Sequence, residues 1–110
     1  MTALSYDLMI DQGADFVVSI PILDPDGAPQ SLVGWTARGQ VRQTHGGAVV
    51  LHDLEPVSSA ATVTVTVDAA SSAAWDWRVG VYDIELVDPS EKVIRLVQGR
   101  VIVSPEVTRA

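Results

Sequence analysis

Two imidazoles and a scatter of carboxylates are the groups in this sequence with the chemistry of a site. His45 and His52 are its only histidines, seven residues apart, and Asp53 follows the second. A zinc site needs several converging donors at tight spacing. One histidine pair bridging a turn and a strand, in a chain without cysteine, supplies too few. Nucleophilic catalysis needs a serine or cysteine held beside a base. No Gly-x-Ser-x-Gly motif occurs, so neither histidine reads as catalytic. His45, beside Gly46 and Gly47, reads as a solvated turn residue.

The carboxylates give the same answer. Asp24-Pro25-Asp26-Gly27 begins as a calcium loop does, but the third acidic ligand and the distal glutamate are missing. It reads instead as a turn, in which proline presets φ and glycine accepts φ > 0. Asp83 and Glu85 are two apart on one predicted strand face. A glycosidase would need such a pair across a deep cleft. Cross-strand ion pairs with Arg38, Arg42 or Arg95 account for them better. Trp75 and Trp77 flank Asp76 just before a strand. They are not expected both to point inward, so one lids the core and the other is a candidate surface anchor, since aromatics enrich at interfaces. These two are the candidate interface residues. No catalytic, cofactor-binding or metal residue is assigned, and no cofactor is implied.

The elements that position these residues follow period two. Residues 62–67 read TVTVTV, which puts Val63, Val65 and Val67 on one strand face and three threonines on the other. Further strands are predicted over 4–10, 15–23, 34–43, 48–52, 79–87 and 92–104. Pro21 marks the second of these as an edge strand or a bulge. In 92–104 the parity changes midway, and a bulge near Gln98-Gly99 would bring Ile94, Leu96, Val101 and Val103 to one side. Asp88-Pro89-Ser90-Glu91 predicts a second turn, joining two strands as a hairpin. The alanine-rich stretch 68–77 predicts one short helical turn capped by Asp68 or Ser71. About seven short strands separated by turns predict an all-β, antiparallel β-sandwich of immunoglobulin-like type. Residues 1–110 read as one domain, with 105–110 a short tail, frayed or meeting a neighbour.

Composition narrows the function. Apolar residues make up 47% of the 110, enough for a packed core. The formal charge of −7, from 14 acidic and 7 basic residues, disfavours binding to nucleic acid or to an anionic membrane surface. The first ten residues lack the basic flank and apolar run of a signal peptide, and no stretch has the length of a membrane helix. A protein soluble when made is expected.

Several strings carry a likeness to a known group. Asp11-Gln12-Gly13-Ala14-Asp15-Phe16 opens a strand, and Asp24-Pro25-Asp26-Gly27-Ala28-Pro29 and Leu32-Val33-Gly34-Trp35-Thr36-Ala37-Arg38 follow. Later come Tyr82-Asp83-Ile84-Glu85-Leu86, the Asp88-Pro89 turn, Arg95-Leu96-Val97-Gln98-Gly99-Arg100-Val101 and Val103-Ser104-Pro105-Glu106-Val107-Thr108-Arg109. Together these resemble small β-sandwich structural proteins of tailed phages, of the collar and tail-fibre attachment type. The resemblance covers nearly the whole chain and brings no catalytic residues with it. It implies a virion component made in the host cytoplasm, homo-oligomeric in the particle, that binds other tail, fibre or head proteins. Two readings stay beside it. One is a head-surface decoration or adhesin-like immunoglobulin-type domain. The other is a carbohydrate-binding module with Trp75 and Trp77 as its sugar platform. An enzyme is not expected.

Overall fold

The computed structural model describes residues 3–108. The order is β1 (Leu4–Ser5), β2 (Leu8–Asp11), β3 (Phe16–Pro21), β4 (Thr36–Arg42), β5 (Val50–Asp53), β6 (Val57–Ser59), β7 (Thr62–Val67), α1 (Ala69–Ala73), β8 (Val79–Val87) and β9 (Val93–Ser104). One sheet runs β1-β9-β8-β4-β5, with β2 also on β9, and a three-stranded sheet runs β3-β7-β6. The all-β, two-sheet, sandwich-like architecture is the expected one.

The core forms where period two sends side chains between the sheets. Val63, Val65 and Val67 of β7 are buried and face Tyr82, Ile84 and Leu86 of β8 and Val97, Val101 and Val103 of β9 across a shared cluster. Each such valine contributes about 1.5–3 kcal/mol by leaving water. Further core residues come from outside the strands. Leu32 and Leu54 are loop residues with almost no exposure, held by bonds from Leu32 N to the Ala60 carbonyl and from Leu54 N to the Gly39 carbonyl.

Three expectations need correction. The first concerns the sandwich, which is not purely antiparallel. The predicted first strand divides into β1 and β2, and both lie parallel to β9, Leu4 opposite Val97 and Leu8 opposite Val101. Between them Tyr6 is exposed while Leu8 and Ile10 are buried. The strands are more numerous than seven, because β1 and β2 are separate and β6 pairs with β7. The bulge in β9 also lies earlier than expected. Ile84 faces Val97 and Glu85 faces Arg95, so Leu96 is the extra residue. From there Val97, Val101 and Val103 fall on the core side together. Gly99 has a different task. A Cβ there would run into the Tyr6 carbonyl and the Asp7 carboxylate, so glycine lets the link between β1 and β2 pass close to β9.

That link is pinned twice. The Tyr82 hydroxyl donates to the Tyr6 carbonyl at 2.5 Å. The Asp7 carboxylate accepts from the Arg100 backbone N–H at 2.9 Å and from its guanidinium at 3.1 Å. Those bonds hold the Asp7 carboxyl below its usual range, the backbone bond most of all.

The two Asp-Pro turns are one device used twice. Asp24 Oδ1 accepts from the N–H groups of Asp26 and Ala28, at 2.9 and 3.0 Å. Asp88 Oδ1 accepts from those of Ser90 and Lys92, at 2.9 and 2.8 Å. The fourth residue takes positive φ in both, Gly27 at 85° and Glu91 at 69°. Glycine does this freely and glutamate does not. The second turn closes the β8–β9 hairpin as expected.

Two outcomes follow. Glu91→Gly should raise stability by about 0.5 kcal/mol, as relief of left-handed strain exceeds the added chain entropy, whereas Gly27→Ala should cost about 1 kcal/mol; paired denaturant melts measure both. Burial pushes the Tyr82 hydroxyl up to about 12. The unfolded phenol ionises near 10, so stability should fall as pH rises from about 10 to 12. Tyr82→Phe should lose about 1 kcal/mol at neutral pH with the hydrogen bond to Tyr6, and should flatten that alkaline limb.

Candidate protein-contact surface

The structure places the two histidines in separate hollows. His45 lines a shallow polar hollow with Arg42, Asp83, Arg95 and Gln98 on the outer face of the large sheet. His52 lies in another hollow, with Glu55, Asp68 and Ser71. Its ring packs edge-on against Trp75, centroids 5.0 Å apart. Among the described residues no three His, Asp or Glu side chains gather as a metal site requires. No described helix is long and apolar enough to cross a membrane.

Asp83 and Glu85 lie in the middle of the outer face of the large sheet, flanked by arginines. Arg38 Nε donates to Glu85 at 2.8 Å, directly across the β4–β8 ladder, and Arg95 Nε lies 3.5 Å from Asp83. Arg42 takes neither carboxylate; it donates to the Gly47 carbonyl and to Gln40. Exposed pairs of this kind are worth about 0–1 kcal/mol each, and they keep the face solvated and polar.

Trp75 and Trp77 do not divide into one core and one surface residue. In extended backbone, residues two apart share a face. Both indoles are half-buried against the core, and they stack on each other with centroids 4.5 Å apart and planes tilted by 30°. Asp76 between them is exposed. Trp77 Nε1 is buried and has no hydrogen-bond partner among the described residues. The pair therefore closes one end of the sandwich, with one ring face already occupied by the other indole.

The strings at the two ends of the chain meet at this same end. Gln12 Nε2 donates to the Trp75 carbonyl at 3.1 Å, while Gln12 Oε1 accepts from the Glu106 backbone N–H at 3.1 Å. Gly13 N donates to the hydroxyl of Ser72, which is fully buried and hands its own proton to the Ala69 carbonyl. Asp15 accepts from Ala69 N at 2.7 Å, and Asp68 caps α1 by accepting from Ser71 N. The short helix is thus capped from two sides, and Asp68 is the cap of the two residues expected. The Ser71 hydroxyl first, and its backbone N–H second, hold the Asp68 carboxyl below its usual range. Glu106 is docked rather than frayed, and Val107 beyond it is exposed.

The apolar concavity lies elsewhere, where the three-stranded sheet stops short of covering the larger one. A groove of about 460 Å³ runs between the end of β3 and the β1–β9 margin, lined by Leu4, Ile20, Leu23, Trp35, Ile94 and Leu96 among others. Leu4 and Leu23 are more than half exposed. Trp35 is half-buried and forms part of this wall. Sequence patterning placed Ile94 and Leu96 on one face with Val101 and Val103. It held no sign that the smaller sheet would leave them partly uncovered.

No family model matches the chain, and no curated protein matches it.

Two measurements check this arrangement. Gln12→Ala should cost about 1–2 kcal/mol in a denaturant melt, because two buried-side partners lose their bond at once. Asp7, Asp68 and Asp88 all have carboxyls held low by hydrogen bonds that are present only when folded. Their contribution is complete above the unfolded carboxylate range and is lost as pH falls through the folded values, so stability should decline below about pH 4.

Proposed function

We propose that this chain is a structural protein-binding module of a tailed-phage virion, immunoglobulin-like in type and tail-associated at a collar or fibre-attachment position. It works by surface contact with other virion proteins, as a homo-oligomer, and carries no catalytic or cofactor role. It would be made in the host cytoplasm and end in the particle.

The observation behind this reading is the apolar groove beside an open sheet edge, on a molecule whose titratable groups are dispersed into turns, caps and ion pairs. Concave apolar surface with little converging chemistry suits a protein contact. An uncovered edge suits strand addition. The likeness in sequence supplies the virion setting. Two of the strings that carry it, Gln12-Gly13 through Asp15 and Ser104 through Glu106, form a clamp beside α1. They act in the scaffold, as a likeness between structural proteins requires.

The stacking of Trp75 on Trp77 weighs against a sugar platform, since a stacked sugar needs a free ring face. Trp75→Ala should therefore act on stability, at about 2–3 kcal/mol for a half-buried indole.

The test is co-expression of the tagged chain with the tail, collar and fibre proteins encoded beside its gene. Co-purification with one of them, at fixed stoichiometry, supports the reading. Failure to bind any of them while binding assembled capsids would move it to the head surface; failure to bind either overturns it.

A further inference from the structure

Four sheet margins are uncovered among the described residues: β1 with β2, β5, β3 and β6. β3 is the longest continuous one, six residues, and pairs only with β7. The direction of its backbone groups can be read from one bond. Ile22 N donates to the Ala61 carbonyl on the β7 side. Backbone direction alternates along an antiparallel strand. Ile20, Val18 and Phe16 therefore also turn their N–H and C=O toward β7, and Val17, Ser19 and Pro21 turn theirs outward. The close approach of the Ser19 and Thr64 hydroxyls, 3.4 Å apart, fits a pair that exchanges no backbone bonds. Pro21 sits where its missing N–H costs β7 nothing.

Residues 16–23 read FVVSIPIL, an uncharged run in a chain of net charge −7. Edge strands that must stay alone usually carry a charge, above all lysine, to repel a second strand. β3 carries none, and Val17 is 62% exposed. β5, by contrast, ends on Asp53, and β6 has only three residues.

We infer that β3 is a self-association edge, on which a second copy of this chain adds antiparallel about a two-fold axis through Ser19. Each Ser19 N–H then meets the Ser19 carbonyl of the other copy. Each Val17 N–H meets the other copy's Pro21 carbonyl. Every N–H on the edge gains a partner, and the proline falls where only a carbonyl is needed. The two three-stranded sheets become one of six strands. Charge selects the occupant: two copies of −7 repel, so their contact must fall where charge is absent, whereas a cationic partner would be drawn to the carboxylates. The inference rests on the proposed oligomeric role and names its interface.

Sedimentation of the full chain from low micromolar to millimolar concentration tests it. A concentration-dependent dimer is expected, weakened at least about tenfold by Ser19→Lys or Val17→Lys and unchanged by Val57→Lys on β6. Circular dichroism checks that each variant folds. The chain has no cysteine, so Ser19→Cys should cross-link to a covalent dimer on mild oxidation, and Val57→Cys should not. A wild-type monomer at every concentration, or a dimer indifferent to both lysines, overturns the inference. A monomer that still co-purifies with a tail protein would sink this interface and the homo-oligomeric part of the reading, and leave the protein-binding role standing.

Discussion

The backbone ladder of β9 is what the rest of the molecule hangs on. Its twelve residues pair with β8 on one side and with β1 and β2 on the other, so the first and last parts of the chain are fastened to the same strand. One extra residue at Leu96 lets that strand keep its apolar side chains on the core face along both halves. Gly99 lets the N-terminal link cross beside it. Without the extra residue, the two halves of β9 could not both turn their apolar side chains to the core, since a one-residue slip sends every side chain to the opposite face.

That layer decides what the molecule can do. Filling the space between the sheets with valine, isoleucine and leucine leaves no interior room for ionisable groups to converge. The carboxylates are accordingly used for geometry. Asp24 and Asp88 close turns, Asp68 and Asp15 cap a helix of five residues, and Asp83 and Glu85 balance arginines on a solvated face. The perimeter is less fully covered. The smaller sheet stops short of the β1–β9 margin, and the uncovered strip carries apolar side chains and unpaired backbone together.

Local patterns in the sequence were enough for the elements that depend on local physics. TVTVTV gave β7 to the residue, and the Asp-Pro turns and the Asp68 cap are short-range devices written in adjacent residues. The features that escaped have no adjacent signal. Parallel pairing of β1 and β2 with β9 joins residues more than ninety apart, and nothing near Leu4 or Leu8 announces it. The β6–β7 hairpin turns at Ala60, φ 53°, without glycine or asparagine to mark it. Leu32 and Leu54 enter the core from loops, where no periodicity applies. The expectation that Trp75 and Trp77 do not both point inward is corrected for another reason: residues 75 and 77 share a face in extended chain, and that parity is legible in the sequence. The groove was out of reach, because the extent of one sheet over another is a property of the assembled fold.

Amide hydrogen exchange along β3, resolved residue by residue in dilute protein, tests the central claim most directly. The account predicts alternation: slow exchange at Phe16, Val18 and Ile20, whose N–H groups face β7, and fast exchange at Val17 and Ser19, which face open solvent. Uniform protection would mean that the edge is already covered. Uniformly fast exchange would mean that β3 does not pair with β7, and either result would contradict a two-sheet core with one strand left open for a partner.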